Sequence, residues 1–440
     1  MSITIRAVGQ ASKRGARRRA PSAADLLTAV DEWLTTTETD TLRDHRAGER
    51  APDGAIEVSF HPAARPVRFE ATDTGRLTVT AMTVPVGPGY HTYVAGMLRR
   101  LGDEVGVTWA GPTPGEGEGA DAVSADPTGA FFSANRADAE RGHLTWLRSS
   151  LIAVRDARRK GATGLHLATP PGIRYTFDGA VATILGPRDD AWLERALPDP
   201  RVAGDIWPWV ADAMDARYHL SRALTMLWND VRWRPPVGPA EMSLLDDILA
   251  TLRHAYPLEP SLPWPWEAWR EIFVLRGPND PSTFQLLQRA TAAALAAGLD
   301  PAGEPVGYRR NPVTIIHEGW ALELPGSFTD ERTAEEWHGI DASRSVTLAA
   351  TATSRSGVPM SPEMFLREFA ASLGKDVIEH EDGELLGRAR LSSDASTGVE
   401  VATVEGYSAV RGSGAVIRIL IEDPGDWKWA LDTWRSLRPA

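Results

Sequence analysis

His317-Glu318-Gly319-Trp320, followed by Leu322-Glu323-Leu324-Pro325-Gly326, reads as the turn and second limb of a hairpin between Pro312 and Phe328. Outward from it, Arg344 to Thr353 alternates apolar and polar residues, the period of a strand. Pro362 to Leu373 is an amphipathic helix, and three more strand-like runs follow. Gly412-Ser413-Gly414 marks a hairpin turn between Tyr407 and Val416. Trp427 to Leu437 is a closing helix, and Trp427, Leu431, Trp434 and Leu437 are expected to face the sheet. Residues 308–440 therefore read as an α+β domain with a core and no catalytic motif. That combination points to a binding module.

Upstream, residues 1–54 read as a basic tail, one helix (Ala23 to Thr36) and a charged linker. Residues 55–199 read as an antiparallel α+β domain. Its strands are Ile56 to Phe60, Arg76 to Val84, Val107 to Trp109, Gly129 to Ser133, Leu165 to Ala168 and Tyr175 to Leu185. Its helices start near Tyr90 and at Asp138. Strands in pairs around single helices favour this layout over a doubly wound parallel sheet. Residues 200–300 read as a helical region packed on that domain, with helices over Trp207 to Val231, Glu241 to Tyr256, Trp266 to Leu275 and Ser282 to Ala297. The Pro- and Gly-rich run from Asp300 to Asn311 reads as a linker. The fold class expected is α+β.

The chain has 440 residues, 42% of them hydrophobic and 24% charged, which suits two or three globular domains. The net charge of −12 argues against nonspecific nucleic-acid binding, which releases counterions through a basic face. There is no cysteine, so disulfides and cysteine-ligated metals are excluded, and no cofactor is implied. No run approaches the ~20 apolar residues of a membrane span. Lys13-Arg14 and Arg17-Arg18-Arg19 are followed by Ala20-Pro21-Ser22 and an amphipathic helix, not by the apolar stretch of a signal peptide. A cytoplasmic address is the expectation.

Four groups of side chains are candidates for chemistry. Gly87-Pro88-Gly89-Tyr90-His91 lies between a strand and a helix, where free N–H groups can cradle an anion, or where a turn simply buries an aromatic ring. Asp212, Asp215 and His219 stand at offsets of three and four, so on one helix they share a face suited to a hard metal, a proton relay or an ion-paired patch. Trp207, Trp209, Trp228, Trp233, Trp264, Trp266 and Trp269 form an aromatic set that fills a core or lines a partner groove. Arg232 and Arg234 flank Trp233 before Pro235-Pro236, as helix C-terminal cations or as a clamp for a carboxylate. Gly-x-Ser-x-Gly and His-Glu-x-x-His are both absent.

Glu318 to Pro325, Arg344 to Leu348, the helix from Pro362, and the ending Ile417 to Ile421, Asp426-Trp427 and Trp434 to Leu437 together resemble the PsbP-like superfamily, including DcrB-like bacterial proteins. The resemblance implies a PsbP-like α+β domain without a shared active site, in a family whose members bind protein partners. Val86 to Trp233 resembles bacterial proteins of no assigned activity that carry the same Gly-Pro-Gly-Tyr-His turn and Val-Arg-Trp-Arg ending. Acidic, Trp-rich character is shared with some immunity proteins to polymorphic toxins. Two function classes follow. One is an interaction protein of the adaptor, effector-chaperone or immunity type, with a protein partner. The other is an enzyme using Tyr90 and His91 with Asp212, Asp215 or His219. Convergence of His91 and His219 on one carboxylate-bearing pocket would discriminate between them.

Overall fold

Thr4–Ala11 forms strand β1, and it lies inside a sheet. The computed structural model describes residues 3–12, 20–38, 51, 54–112, 123–169, 172–175, 177, 179–211, 213–277, 281–296, 298, 305–333, 335–355, 357–394 and 401–440. After β1 come α1 (Ala23–Thr37), β2 (Ile56–Val58), β3 (Val67–Ala71), β4 (Arg76–Met82), α2 (Pro88–Val105), β5 (Val107–Trp109), α3 (Ala130–Ser133) and α4 (Arg136–Arg159). The first sheet has the order β2-β3-β4-β1-β5, all antiparallel. Residues 4–11, expected in a basic tail, thus pair with both β4 and β5. The Lys13 to Arg19 cluster lies outside the described residues. Gly9 is required in β1, because a Cβ there would come 2.5 Å from Val107 Cγ1 and 2.8 Å from Trp109. Ser22 caps α1 by accepting a hydrogen bond from the Asp25 amide, and Leu26, Leu27, Val30, Trp33 and Leu34 are buried. Gly129 to Ser133, expected as a strand, is instead the short helix α3 with Gly129 as its N-cap at φ 81°.

The next segment carries β6 (His166–Leu167), β7 (Ile173–Tyr175), β8 (Val181–Thr183), β9 (Gly186–Arg188) and α5 (Asp190–Ala196). β6, β8 and β9 form a small separate sheet whose β6–β8 pair is parallel, so this stretch does not extend the first sheet. The helical region holds α6 (Ala216–Asn229), α7 (Gly238–Ala255), α8 (Trp266–Arg276) and α9 (Pro281–Ala296). The helix expected from Trp207 starts only at Ala216. Residues 200–206 are a 3-10 turn, and Trp207 and Pro208 lead to Trp209 as extended chain. The helical core is built on Leu245, Ile248, Leu252, Trp264, Trp269 and Ile272, with Trp266 and Trp269 stacked at 5.6 Å.

Last come β10 (Val313–His317), β11 (Trp320–Leu324), β12 (Glu331–Arg332), β13 (Glu336–Asp341), β14 (Arg344–Ala352), β15 (Ser354–Arg355), β16 (Val358–Pro359), α10 (Pro362–Phe369), β17 (Ile378–Asp382), β18 (Leu385–Asp394), β19 (Val401–Val410), β20 (Ser413–Ile421), α11 (Trp427–Arg435) and β21 (Arg438–Pro439). Seven of these strands form an antiparallel sheet, β12-β13-β14-β20-β19-β18-β17. The β10–β11 hairpin sits where the sequence puts it, with His317 opposite Trp320. The β19–β20 turn falls at Arg411-Gly412, as its glycines indicate. The molecule is α+β.

α11 closes the sheet through Trp434, whose indole lies over the backbone of β18 and β19. A Cβ on Gly406 would meet Trp434 Cδ1 at 2.5 Å, and one on Gly387 would meet Cζ2 at 2.9 Å. The indole Nε1 donates to Ser408 Oγ at 3.2 Å. Leu431, Trp434 and Leu437 are buried as expected, but Trp427 is 49% exposed and Ala430 takes the inward place. Trp427 is the first residue of α11, and the buried residues of the helix begin only at Ala430.

The boundary expected near residue 308 is crossed by a strand pair. β7, from before the helical region, pairs with β10 in a four-stranded sheet, β21-β11-β10-β7. Tyr308 donates its hydroxyl to the Thr183 carbonyl at 2.8 Å and accepts from the Thr183 amide at 2.9 Å. Arg309, 4% exposed, donates to the carbonyls of Asn229, Gly326 and Phe328. Residues expected in a linker are therefore core residues, and residues 308–440 share their core with Ile173 and Tyr175.

Two outcomes follow. Trp434→Ala should cost about 3–5 kcal/mol in urea unfolding, because the glycines beneath the indole leave a cavity that cannot refill. In residues 308–440 expressed alone, the Ile316 amide loses the Gly172 carbonyl that it donates to at 2.8 Å. Hydrogen–deuterium exchange should find that amide protected in the full chain and labile in the fragment.

Candidate functional site

His91 is wholly buried one turn into α2. Its Nδ1 lies 2.8 Å from Thr83 Oγ1, and its Nε2 lies 3.2 Å from Asp126 Oδ2 and 3.0 Å from Thr128 Oγ1. Asp126 also accepts from the Thr128 and Phe131 amides, each at 2.8 Å. Burial alone would raise the Asp126 carboxyl. The hydrogen bond and charge of His91, with those two amides, outweigh it and hold the group at about 2. Asp126, His91 and Thr83 thus have the connectivity of an acid, a base and a hydroxyl. Thr83 and His91 have no exposed surface, so no substrate carbonyl reaches the Thr83 hydroxyl in this arrangement. The network fastens the segment at 123–131 to α2, alongside the Arg6–Ala125 bridge and the Val8 amide donating to Ser124 Oγ.

His143, on α4, packs edge-on against His91 at 5.5 Å and against Trp207 at 5.5 Å. Its Nδ1 lies 2.9 Å from the Ala139 carbonyl, and its Nε2 faces the Thr83 backbone without a well-formed hydrogen bond. Burial, helped by the charge of His91, pushes it down to about 4.

His219 is elsewhere. Its ring contacts are Tyr218 and His254, the latter edge-on at 4.9 Å. Burial, then His254 and Arg222, lower its pKa. Asp215 is the N-cap of α6 and accepts from the Tyr218 amide at 3.0 Å, so its carboxylate is spent on the helix start. Asp212 lies outside the described residues. His91 and His219 share no hydrogen bond or ring contact. Among the described residues, no three His, Asp or Glu side chains are placed to hold a metal ion.

The Gly87-Pro88-Gly89 turn does not present free amides to an anion. The Gly89 amide donates to the Trp209 carbonyl at 3.1 Å, and the Trp209 amide donates to the Val86 carbonyl at 2.9 Å. A Cβ on Gly87 would meet Trp207 Cβ at 2.7 Å, and one on Gly89 would meet Trp209 Cδ1 at 2.6 Å. The glycines are a seat for two tryptophans. Tyr90 is buried against Trp209 at 5.8 Å, and burial raises its phenol far above the ordinary range. Trp207 and Trp209 are buried, while Trp233 is half-buried beneath the Arg310 guanidinium at 3.6 Å. Arg232 donates to the Asp230 carbonyl, and burial with the nearby Arg309 lowers its pKa. Arg234 holds Glu241 in a two-pronged pair at 2.6 and 3.0 Å and donates to the Ser327 carbonyl. The carboxylate that it clamps belongs to this chain.

The surface that sequence reasoning missed is a groove of about 500 Å³ between α8 and α9. Phe273, Val274, Phe284, Leu287, Ala292 and Leu295 line it, with Arg270, Gln288 and Thr291. Val274 is 70% exposed, Phe284 50% and Leu295 58%. The Arg270 side chain makes no hydrogen bond or ion pair with any described residue. The signal in the sequence is α9 itself, Pro281–Ala296, which carries no acidic residue in an acidic chain.

The depressed pKa of His143 has a signed consequence. A buried histidine held neutral in the fold and at ~6.5 when unfolded stabilises the protein above about pH 6.5. That contribution is lost as pH falls towards about 4. Urea unfolding should show a loss of about 3 kcal/mol across this window, and His143→Met should remove that loss.

No protein-family model matches the chain, and no curated protein matches it. A crystal structure from Bacteroides thetaiotaomicron VPI-5482 is similar over 30% of this chain and 49% of that one, at 9% identity and a TM-score of 0.26. The likeness therefore spans about half the length of that protein.

Proposed function

We propose that this is a cytoplasmic interaction protein of the adaptor, effector-chaperone or immunity type, which takes a protein partner in the groove between α8 and α9. The observation that carries the reading is the groove. Three large apolar side chains stand half or more exposed along it, and such contiguous surface marks an interaction site more often than it marks a monomer's ordinary exterior. The chemistry-bearing candidates support it by their employment elsewhere. His91 is buried in a fastening network, Asp215 caps a helix, and Arg234 is paired with Glu241. The resemblance to PsbP-like domains favours the same class. No described helix is long and apolar enough to cross a membrane.

The test is a pull-down from native lysate at low and moderate salt. Wild type should retain a stoichiometric protein partner, and Phe284→Asp and Val274→Asp should lose it while keeping the wild-type circular dichroism spectrum. Recovery of no stoichiometric partner under either condition sinks the reading.

A further inference from the structure

We infer that the α8/α9 groove receives an amphipathic helix of the partner, with a carboxylate beside its apolar stripe that pairs with Arg270. This rests on the protein-binding reading above and names the occupant.

The dimensions suit a helix. Phe284, Leu287, Thr291 and Leu295 recur along α9 at helical spacing, and Phe284 to Leu295 spans about 16 Å at 1.5 Å per residue. That is three turns of a docked helix, read by anchors at i, i+3 or i+4, i+7 and i+11. A third helix laid between α8 and α9 would repeat the packing that α7 makes on α8. An extended strand is a poorer fit, because the groove is walled by side chains of two helices and offers no sheet edge to pair with.

The charge selects the sign. Arginines around Arg270 in the same helical unit are satisfied internally: Arg276 by Asp246, Arg222 by Asp247, Arg310 by Glu271 and Arg234 by Glu241. Arg289 on α9 donates only to the Gln285 carbonyl, and Arg270 alone among these arginines lines the groove, whose lining residues include no carboxylate. A docked carboxylate would supply what the other four arginines already have. The chain's overall charge of −12 opposes an acidic ligand at long range. That field is screened beyond about 8 Å at physiological salt, whereas a contact pair with Arg270 is not. A second copy of this chain is the poorer occupant, since it would bring the same unpaired arginine and the same net charge to the interface.

The experiment uses the full chain and two fluorescein-labelled helical peptides of equal length. Both carry Leu at i, i+4, i+7 and i+11. One has Glu on the flanks of the stripe and the other has Lys. Fluorescence anisotropy should show wild type binding the Glu peptide about fivefold more tightly than the Lys peptide. Arg270→Glu should invert that preference, and Phe284→Asp should abolish binding of both. Equal affinities, a preference for the Lys peptide, or no binding of either would overturn the assignment. So would a concentration-dependent dimer in light scattering that Phe284→Asp dissolves, which would make the groove a self-interface. If the peptides fail while the lysate partner still depends on Phe284, the occupant is wrong and the protein-binding reading stands.

Discussion

The molecule is organised around the reciprocal backbone pair between the Gly87-Pro88-Gly89 turn and Trp209. Two hydrogen bonds, Trp209 amide to Val86 carbonyl and Gly89 amide to Trp209 carbonyl, join a strand-to-helix turn of the first sheet to the extended chain that enters the helical region. The contact is possible only because Gly87, at φ 113°, and Gly89 leave room for two indoles. Trp209 then reaches into the first core beside Tyr90, Tyr93 and Tyr218. Tyr218 stands on the first turn of α6, so the start of the helical region is packed against the N-terminal sheet. The direction of α2 and the docking of α6 both depend on this seat.

At the other end of α6 the chain is held by charge. Asn229 accepts from Arg309 through its carbonyl and donates through its amide group to the carbonyls of Ile184 and Thr225. Tyr175 packs face to face on Tyr308 at 4.3 Å. A buried arginine is tolerated there because three carbonyls accept from it and Asp330 lies 3.7 Å away. α6 is thus a strut between two cores, hydrophobic at one end and hydrogen-bonded at the other.

What could be read in advance was what local pattern dictates. The amphipathic stripes of α1, α4, α7, α8 and α11, the β10–β11 hairpin and the Gly412 turn all follow from residue periods and turn chemistry. The α+β class followed from their order. β1 escaped because Thr4–Ala11 sits beside a basic cluster and its pairing with β4 lies some 70 residues away in the chain. The Trp207 helix was misread because two tryptophans at helical entry spacing look the same whether they start a helix or fill a glycine seat. The Asp126–His91 pair joins residues 35 apart, and no local motif announces it. Arg270 stands in no motif, and only the fold reveals that its neighbours in the groove are largely apolar. Long-range partnership, in each case, is what a linear pattern cannot carry.

The β7–β10 pairing also sets a clock. These two neighbouring strands are separated by roughly 140 residues of chain, so β7 leaves the ribosome long before its partner exists. At ordinary translation speeds that interval is on the order of ten seconds. Through it, the three-residue strand and the aromatic face of Tyr175 stand without the surface that later covers them. The helical region, made in between, has time to assemble on its own core and on the N-terminal sheet before the last strands arrive. The four-stranded sheet can therefore close only once β10, β11 and β21 have been made, and a pause in translation within α9 would prolong the life of an unpaired strand edge.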